Sequence, residues 1–225
     1  MESIPCDEYF FLGDYVSDTP YTRETMDYLY SFMTKTSCHF LRGNREEYML
    51  NQREVIVNNR EKERWLWNSA SGNLLFAYEQ LTEKDLNFFQ SLPITFQYKK
   101  ANYPAITCCH GSPGSTRELL LVDSDNTKTW LDSIEWKPTF LKIPYDNKKV
   151  VKDIRKSGLL DKAPWFINSN IQILLTGIDH SAEMVNAASN KAKETDKEAA
   201  WPRIEEKYFE IAAKELGVPD YRVIE

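Results

Sequence analysis

The sequence predicts an α/β fold that continues into a helical tail. Three observations carry this. Short apolar runs at residues 10–12, 39–41 and 106–109 each lead into a tight turn that presents a polar side chain, as strands of α/β proteins do at their carboxyl ends. Between them, apolar residues recur at helical spacing. From Asp146 onward, almost every periodic segment reads as helix.

In order, residues 9–12 read as a short buried strand stopped at Gly13. Residues 22–34 place Met26, Leu29, Tyr30 and Met33 at helical spacing, and Pro20 suits the start. Residues 38–41 form a second strand, ended at Gly43, and residues 46–59 a helix with Tyr48, Met49, Val55 and Ile56 apolar. The aromatic-rich stretch 65–78 fits helix or loop. Residues 82–91 form a helix capped by Thr82, with Asp85 placed as in a capping box. Residues 94–98 alternate like a strand, and 104–109 form another. A polar loop at 123–126, a short helix at 127–133 and an extended segment at 136–143 follow. Helices at 148–157, 165–175, 182–193 and 204–216 complete the chain, the last closed by Gly217. The expected division is an α/β domain at 1–145 and a helical extension at 146–225.

Composition narrows the class. Of 225 residues, 42% are hydrophobic and 28% charged, the balance of a soluble globular protein. A net charge of −6 with scattered basic residues gives no reason to expect specific nucleic-acid binding. No apolar run approaches a membrane span, and the N-terminus lacks the pattern of a signal peptide. The four cysteines contain no CxxC pair, and adjacent Cys108 and Cys109 read as small apolar residues. A cytoplasmic setting is the expectation.

The turns carry the chemistry. FFLGDYVSD presents Asp14, FLRGNREE presents Asn44, and TCCHGSPGS presents His110. A carboxylate, an amide oxygen and an imidazole suit a borderline divalent ion such as manganese, iron(II) or zinc. Two such ions about 4 Å apart clamp a phosphate ester and activate water. Gly13, Gly43 and Gly111 allow the sharp turns and close approach that this needs. Each residue also has a plainer reading. Asp14 and Asn44 suit turns on their own, and His110 could be a packed strand-end histidine. His39 reads as a core or edge histidine, His180 as a helix-start residue, and the tryptophans as packing groups.

In sequence and order, GDYVSD, GNREE and HGSPGSTRE resemble the second, third and fourth signature motifs of the calcineurin-like metallophosphoesterases. LTEKDLNFFQSLP, SGLLDKAPW and AAKELGV extend the resemblance, over nearly the whole chain, to a bacterial subgroup with a C-terminal helical extension. The resemblance implies a metallophosphoesterase-like αββα sandwich, here abbreviated, and hydrolysis of a phosphate-ester substrate. It implies Asp14 as the bridging metal ligand, and Asn44 and His110 as ligands of the second ion. Asp18 and Glu46 match positions that orient neighbouring turns. Arg45 stands where the family often has a histidine. It would stabilise phosphate charge but could not donate a proton near neutral pH.

Two family motifs are not found. No Asp-x-His occurs before Tyr9, and no Gly-His-x-His turn follows residues 130–134; TGIDHS at 176–181 does not match it. The family normally holds two ions, and the residues found here leave both short of ligands. The expectation is therefore a metal-dependent phosphoesterase, with a second chain as the candidate to complete its site. The alternative is a non-catalytic relative that binds a phosphorylated ligand or a protein.

Overall fold

The computed structural model describes residues 6–16, 18–112, 115–117 and 143–224. The expected elements at 127–133 and 136–143 lie outside the described residues. The chain forms two compact units drawn from separated stretches. The first comprises Met1–Tyr15, Thr25–Leu50 and Glu83–Pro144; the second comprises Val16–Glu24, Asn51–Thr82 and Tyr145–Glu225.

The elements follow the order β1 (Tyr9–Phe11), α1 (Thr22–Met33), β2 (Cys38–Phe40), α2 (Asn44–Val57), α3 (Gly72–Tyr78), α4 (Glu83–Ser91), β3 (Thr95–Tyr98) and β4 (Ile106–Cys109). Then come α5 (Asn147–Ser157), α6 (Leu159–Lys162), α7 (Pro164–Thr176), α8 (Ser181–Thr195) and α9 (Glu206–Leu216). This is the expected fold class, an α/β region with a helical C-terminal extension. Several details differ from the sequence reading. Residues 44 and 45, expected in a turn, are the first of α2. The stretch 65–78 divides into a loop and the short α3. The strand expected at 104–109 begins only at Ile106, and α6 was not foreseen.

In the first unit, β1 and β2 pair in parallel, with α1 as the crossover that parallel strands require. β3 and β4 pair antiparallel, Phe96 opposite Cys108 and Tyr98 opposite Ile106. Because side chains alternate along a strand, each sheet has two distinct faces. Phe10 and His39, register partners on one sheet, face Phe96 and Tyr98 on the other. Phe10 stacks on Phe96 at 6.1 Å and meets Tyr98 edge-on at 4.8 Å. The opposite face of β1–β2 packs on helices, with Tyr9 against Phe32 at 4.8 Å and Phe40 against Phe88 at 5.6 Å. Helices, sheet and sheet thus form three successive layers. His39 is a half-buried strand histidine with its ring partnered, in line with the core or edge reading. Its Nε2 lies 2.6 Å from the Glu8 carboxylate, which also accepts the Tyr98 hydroxyl. A cleft of about 330 Å³ opens on the inner layer, lined among others by Phe10, Leu12, Ile106 and Cys108.

The second unit is built on helix packing. On α8, Met184, Ala188 and Ala192 recur every four residues and are fully buried against Phe209, Ala212 and Ala213 of α9. Small side chains there let the two helices approach closely. A second cluster joins Ile154 of α5, Leu159 of α6, and Ile167 and Ile171 of α7. Trp65 and Trp165 are buried in this unit as expected of packing residues, whereas Trp67 is 42% exposed. No described helix is long and apolar enough to cross a membrane.

Candidate metal centre

The centre is built where the turn after β1 meets the start of α2. Gly13 turns at φ +90° and Asp14 follows at φ +57°, a left-handed conformation that non-glycine residues rarely adopt. The turn packs backbone to backbone on Gly43. A Cβ on Gly13 would collide with the Gly43 amide, and a Cβ on Gly43 would collide with the Asp14 carboxylate. Both positions therefore demand glycine, Gly13 for contact and torsion and Gly43 for contact.

Glu46 locks this junction. Its fully buried carboxylate accepts the backbone N–H groups of Asp14 at 2.8 Å, Tyr15 at 2.8 Å and Gly43 at 2.9 Å. The bond to Gly43 is the returning half of a capping box on α2. Burial pushes the Glu46 carboxyl above the ordinary carboxylate range, and the three amide donors pull it back toward the ionised form. Tyr15 adds a second tie, donating its hydroxyl to the carbonyl of Leu41 at 2.6 Å. Its phenol is raised by burial and by Glu46, so it stays a donor.

Asp14, Asn44 and His110 converge on this frame. Asp14 Oδ1 accepts the backbone N–H of Arg45 at 3.0 Å, so the carboxylate sits against the N-terminus of α2, where the helix dipole favours negative charge. His110 Nδ1 lies 2.6 Å from the Leu12 carbonyl. A carbonyl can only accept, so the proton is on Nδ1 and the Nε2 lone pair faces inward. Nε2 lies 3.1 Å from the Asn44 amide and 3.4 Å from Asp14 Oδ2. With the amide nitrogen turned inward, Asn44 donates to both Nε2 and the Asp14 carboxylate.

These spacings suit a metal ion. Ligand bonds of ~2.1 Å hold neighbouring donor atoms roughly 3.0–3.4 Å apart around one ion. Turning the Asn44 amide would present its oxygen, giving one carboxylate, one amide oxygen and one imidazole whose tautomer is already set by Leu12. Counting only His, Cys, Asp and Glu, no group of three converges among the described residues; the third donor here is an amide.

Arg45 occupies the second position of α2, and its backbone N–H is the group that reaches Asp14. Asp18 also has positive φ, +51°, and accepts from Asn73 Nδ2 at 2.6 Å within the second unit. His180 precedes α8 and bonds Glu183 at 2.9 Å. Sequence reasoning missed Tyr15 and the Leu12 carbonyl. Both act through backbone geometry, which no motif spells out.

A model of the calcineurin-like phosphoesterase family matches residues 2–182. No curated protein matches the chain. Among solved structures, a hypothetical protein from Pyrococcus horikoshii OT3 is similar at a TM-score of 0.60 and 16% identity, over 79% of this chain and 88% of that one. At that identity the likeness is one of fold.

Proposed function

The chain belongs to the calcineurin-like phosphoesterase family, and on that premise we propose that it hydrolyses a phosphate mono- or diester at Asp14, Asn44 and His110. The observation that supports this most is the convergence of the three motif side chains, with Nε2 of His110 3.1 and 3.4 Å from its two neighbours. The three side chains would hold a divalent ion, which when bound supplies Lewis acidity toward a phosphoryl group and acidifies water. Asp14 provides the negative charge, held in place by Glu46 and the start of α2. The Leu12 carbonyl keeps the His110 proton on Nδ1, leaving Nε2 to ligate. Arg45 steadies the phosphate through its permanent charge.

The test uses the full chain with manganese. Calorimetry is expected to show Mn²⁺ uptake, weakened at least tenfold in Asp14→Asn. Turnover of p-nitrophenyl phosphate or its bis-ester is expected to fall about a hundredfold in the same variant, a loss of about 2.7 kcal/mol in transition-state stabilisation. Absence of metal uptake by the wild type would sink the proposal.

One observation favours a second reading, in which another polypeptide completes the site. Tyr9 donates to Ser37 and Phe11 accepts from Leu41, so the N–H and C=O of Phe10 point away from β2. They find no partner among the described residues. An extended segment from a partner would satisfy them. If metal uptake and turnover appear only when a second protein is present, this reading replaces the first; if the isolated chain is active, it falls.

A further inference from the structure

We infer that Arg117, seated on the ring of Tyr48, forms a subsite for a second anionic group on the substrate, so that the preferred esters carry a negative charge beside the scissile phosphate. The inference rests on the proposed phosphoesterase site and adds a substrate class to it.

Arg117 lies seven residues beyond His110 in sequence. Between them, Ser112 and Ser115 form a bridge, their backbones exchanging hydrogen bonds at 3.0 and 3.2 Å. Ser115 Oγ then accepts the Arg117 backbone N–H at 3.2 Å. The guanidinium carbon comes to rest 5.0 Å from the centroid of the Tyr48 ring. That distance is a cation–π contact, and a flat guanidinium stacked on a ring keeps its N–H edges open for hydrogen bonding.

Helical geometry places this cation next to the metal centre. Tyr48 is four residues after Asn44 in α2, so the two share one face, with Cβ atoms about 6 Å apart. Asn44 and Tyr48 are both half-buried. Side chains on a helix lean toward its N-terminus, which brings the Tyr48 ring toward Asn44. Glu47, beside Tyr48 on α2, accepts the Thr116 hydroxyl on its Oε2 at 3.4 Å. Arg117 is exposed and makes no ion pair among the described residues. A phosphate held at Asp14, Asn44 and His110 would have the Tyr48 ring one helical turn away, with the Arg117 guanidinium 5.0 Å from that ring's centroid, in reach of a charged group carried across a para-substituted benzene ring.

The test is a binding experiment with non-hydrolysable probes. Phenylphosphonate and 4-carboxyphenylphosphonate are titrated into the manganese-loaded full chain by calorimetry. The wild type is expected to bind the carboxylated probe about tenfold more tightly. In Arg117→Gln the ratio of the two affinities is expected to fall to near one, and in Arg117→Lys to an intermediate value. Tyr48→Phe, which keeps the ring, retains the ratio, while Tyr48→Leu lowers it. Equal binding of both probes by the wild type overturns the inference and leaves the phosphoesterase site standing. So does a ratio that survives in Arg117→Gln while both affinities drop together. Failure of the wild type to bind either probe in manganese overturns both.

Discussion

The residue that organises this centre is Glu46, which is neither a ligand nor exposed. A buried carboxylate is costly unless its oxygens are satisfied, and here three backbone amides satisfy them. Glu46→Gln keeps the shape but turns one acceptor into a donor. If the Gln oxygen keeps Asp14 and Gly43, its NH₂ opposes the Tyr15 N–H. A loss of about 2–3 kcal/mol in folding stability is expected, read from the denaturant midpoint, with weaker Mn²⁺ uptake because the turn at Asp14 loosens. An unchanged midpoint would mean that the carboxylate is not what holds the turn. The sequence named Asp14, Asn44, His110 and Glu46 because their motifs state them directly. It could not show that Asp14 takes a left-handed φ or that Leu12 orients His110, since both depend on how Gly13 meets Gly43 across a chain separation of thirty residues.

At the scale of elements, periodicity located most of the described helices and strands to within a few residues, α3 and α6 excepted, because apolar spacing is a local property of the chain. Pairing is not local. Nothing in FFL and HFL announces that β1 and β2 align in parallel with Phe10 beside His39, or that this pair stacks on Phe96. Asp85 makes the same point: its spacing from Thr82 suggests a cap, but nothing in that spacing announces that it is fully buried and accepts the Tyr30 hydroxyl at 2.7 Å. The chain after α9 is tied down in a way that pH can probe. Asp220 bonds Arg222 Nε at 2.7 Å and Nη2 at 2.6 Å, and accepts from Asn168 of α7 at 3.2 Å. The Arg222 bonds above all hold its carboxyl below the ordinary 3.8, at about 2. A carboxyl whose pKa is depressed on folding stabilises the native state above its unfolded value. That contribution fades as pH falls through the folded one. The stability advantage of wild type over Asp220→Asn is therefore expected to be full above pH 4 and to vanish as pH falls toward 2, measured by urea unfolding at each pH. An advantage that is constant across that window would leave the ion pair without a role.

For the whole molecule, the candidate ligands come from three distant stretches of chain, at positions 14, 44 and 110, and only the folded state brings them together. An ion that binds the native state and not the unfolded chain stabilises the fold by mass action. The gain is about 2.7 kcal/mol when its free concentration is a hundred times the dissociation constant. For a protein of 225 residues, each kcal/mol moves the melting temperature by about 2–4 °C, so saturating Mn²⁺ should raise it by roughly 5–10 °C. Asp14→Asn should melt close to the metal-free wild type and gain little from the ion, since the carboxylate supplies the charge that ion binding needs. Scanning calorimetry of both proteins, with manganese and with a chelator, separates site-specific binding from a general salt effect. An equal rise in the two proteins would place the ion elsewhere on the chain. No rise in either would show that folding alone does not assemble a site able to hold it, and the reading in which a second polypeptide supplies further ligands would take its place.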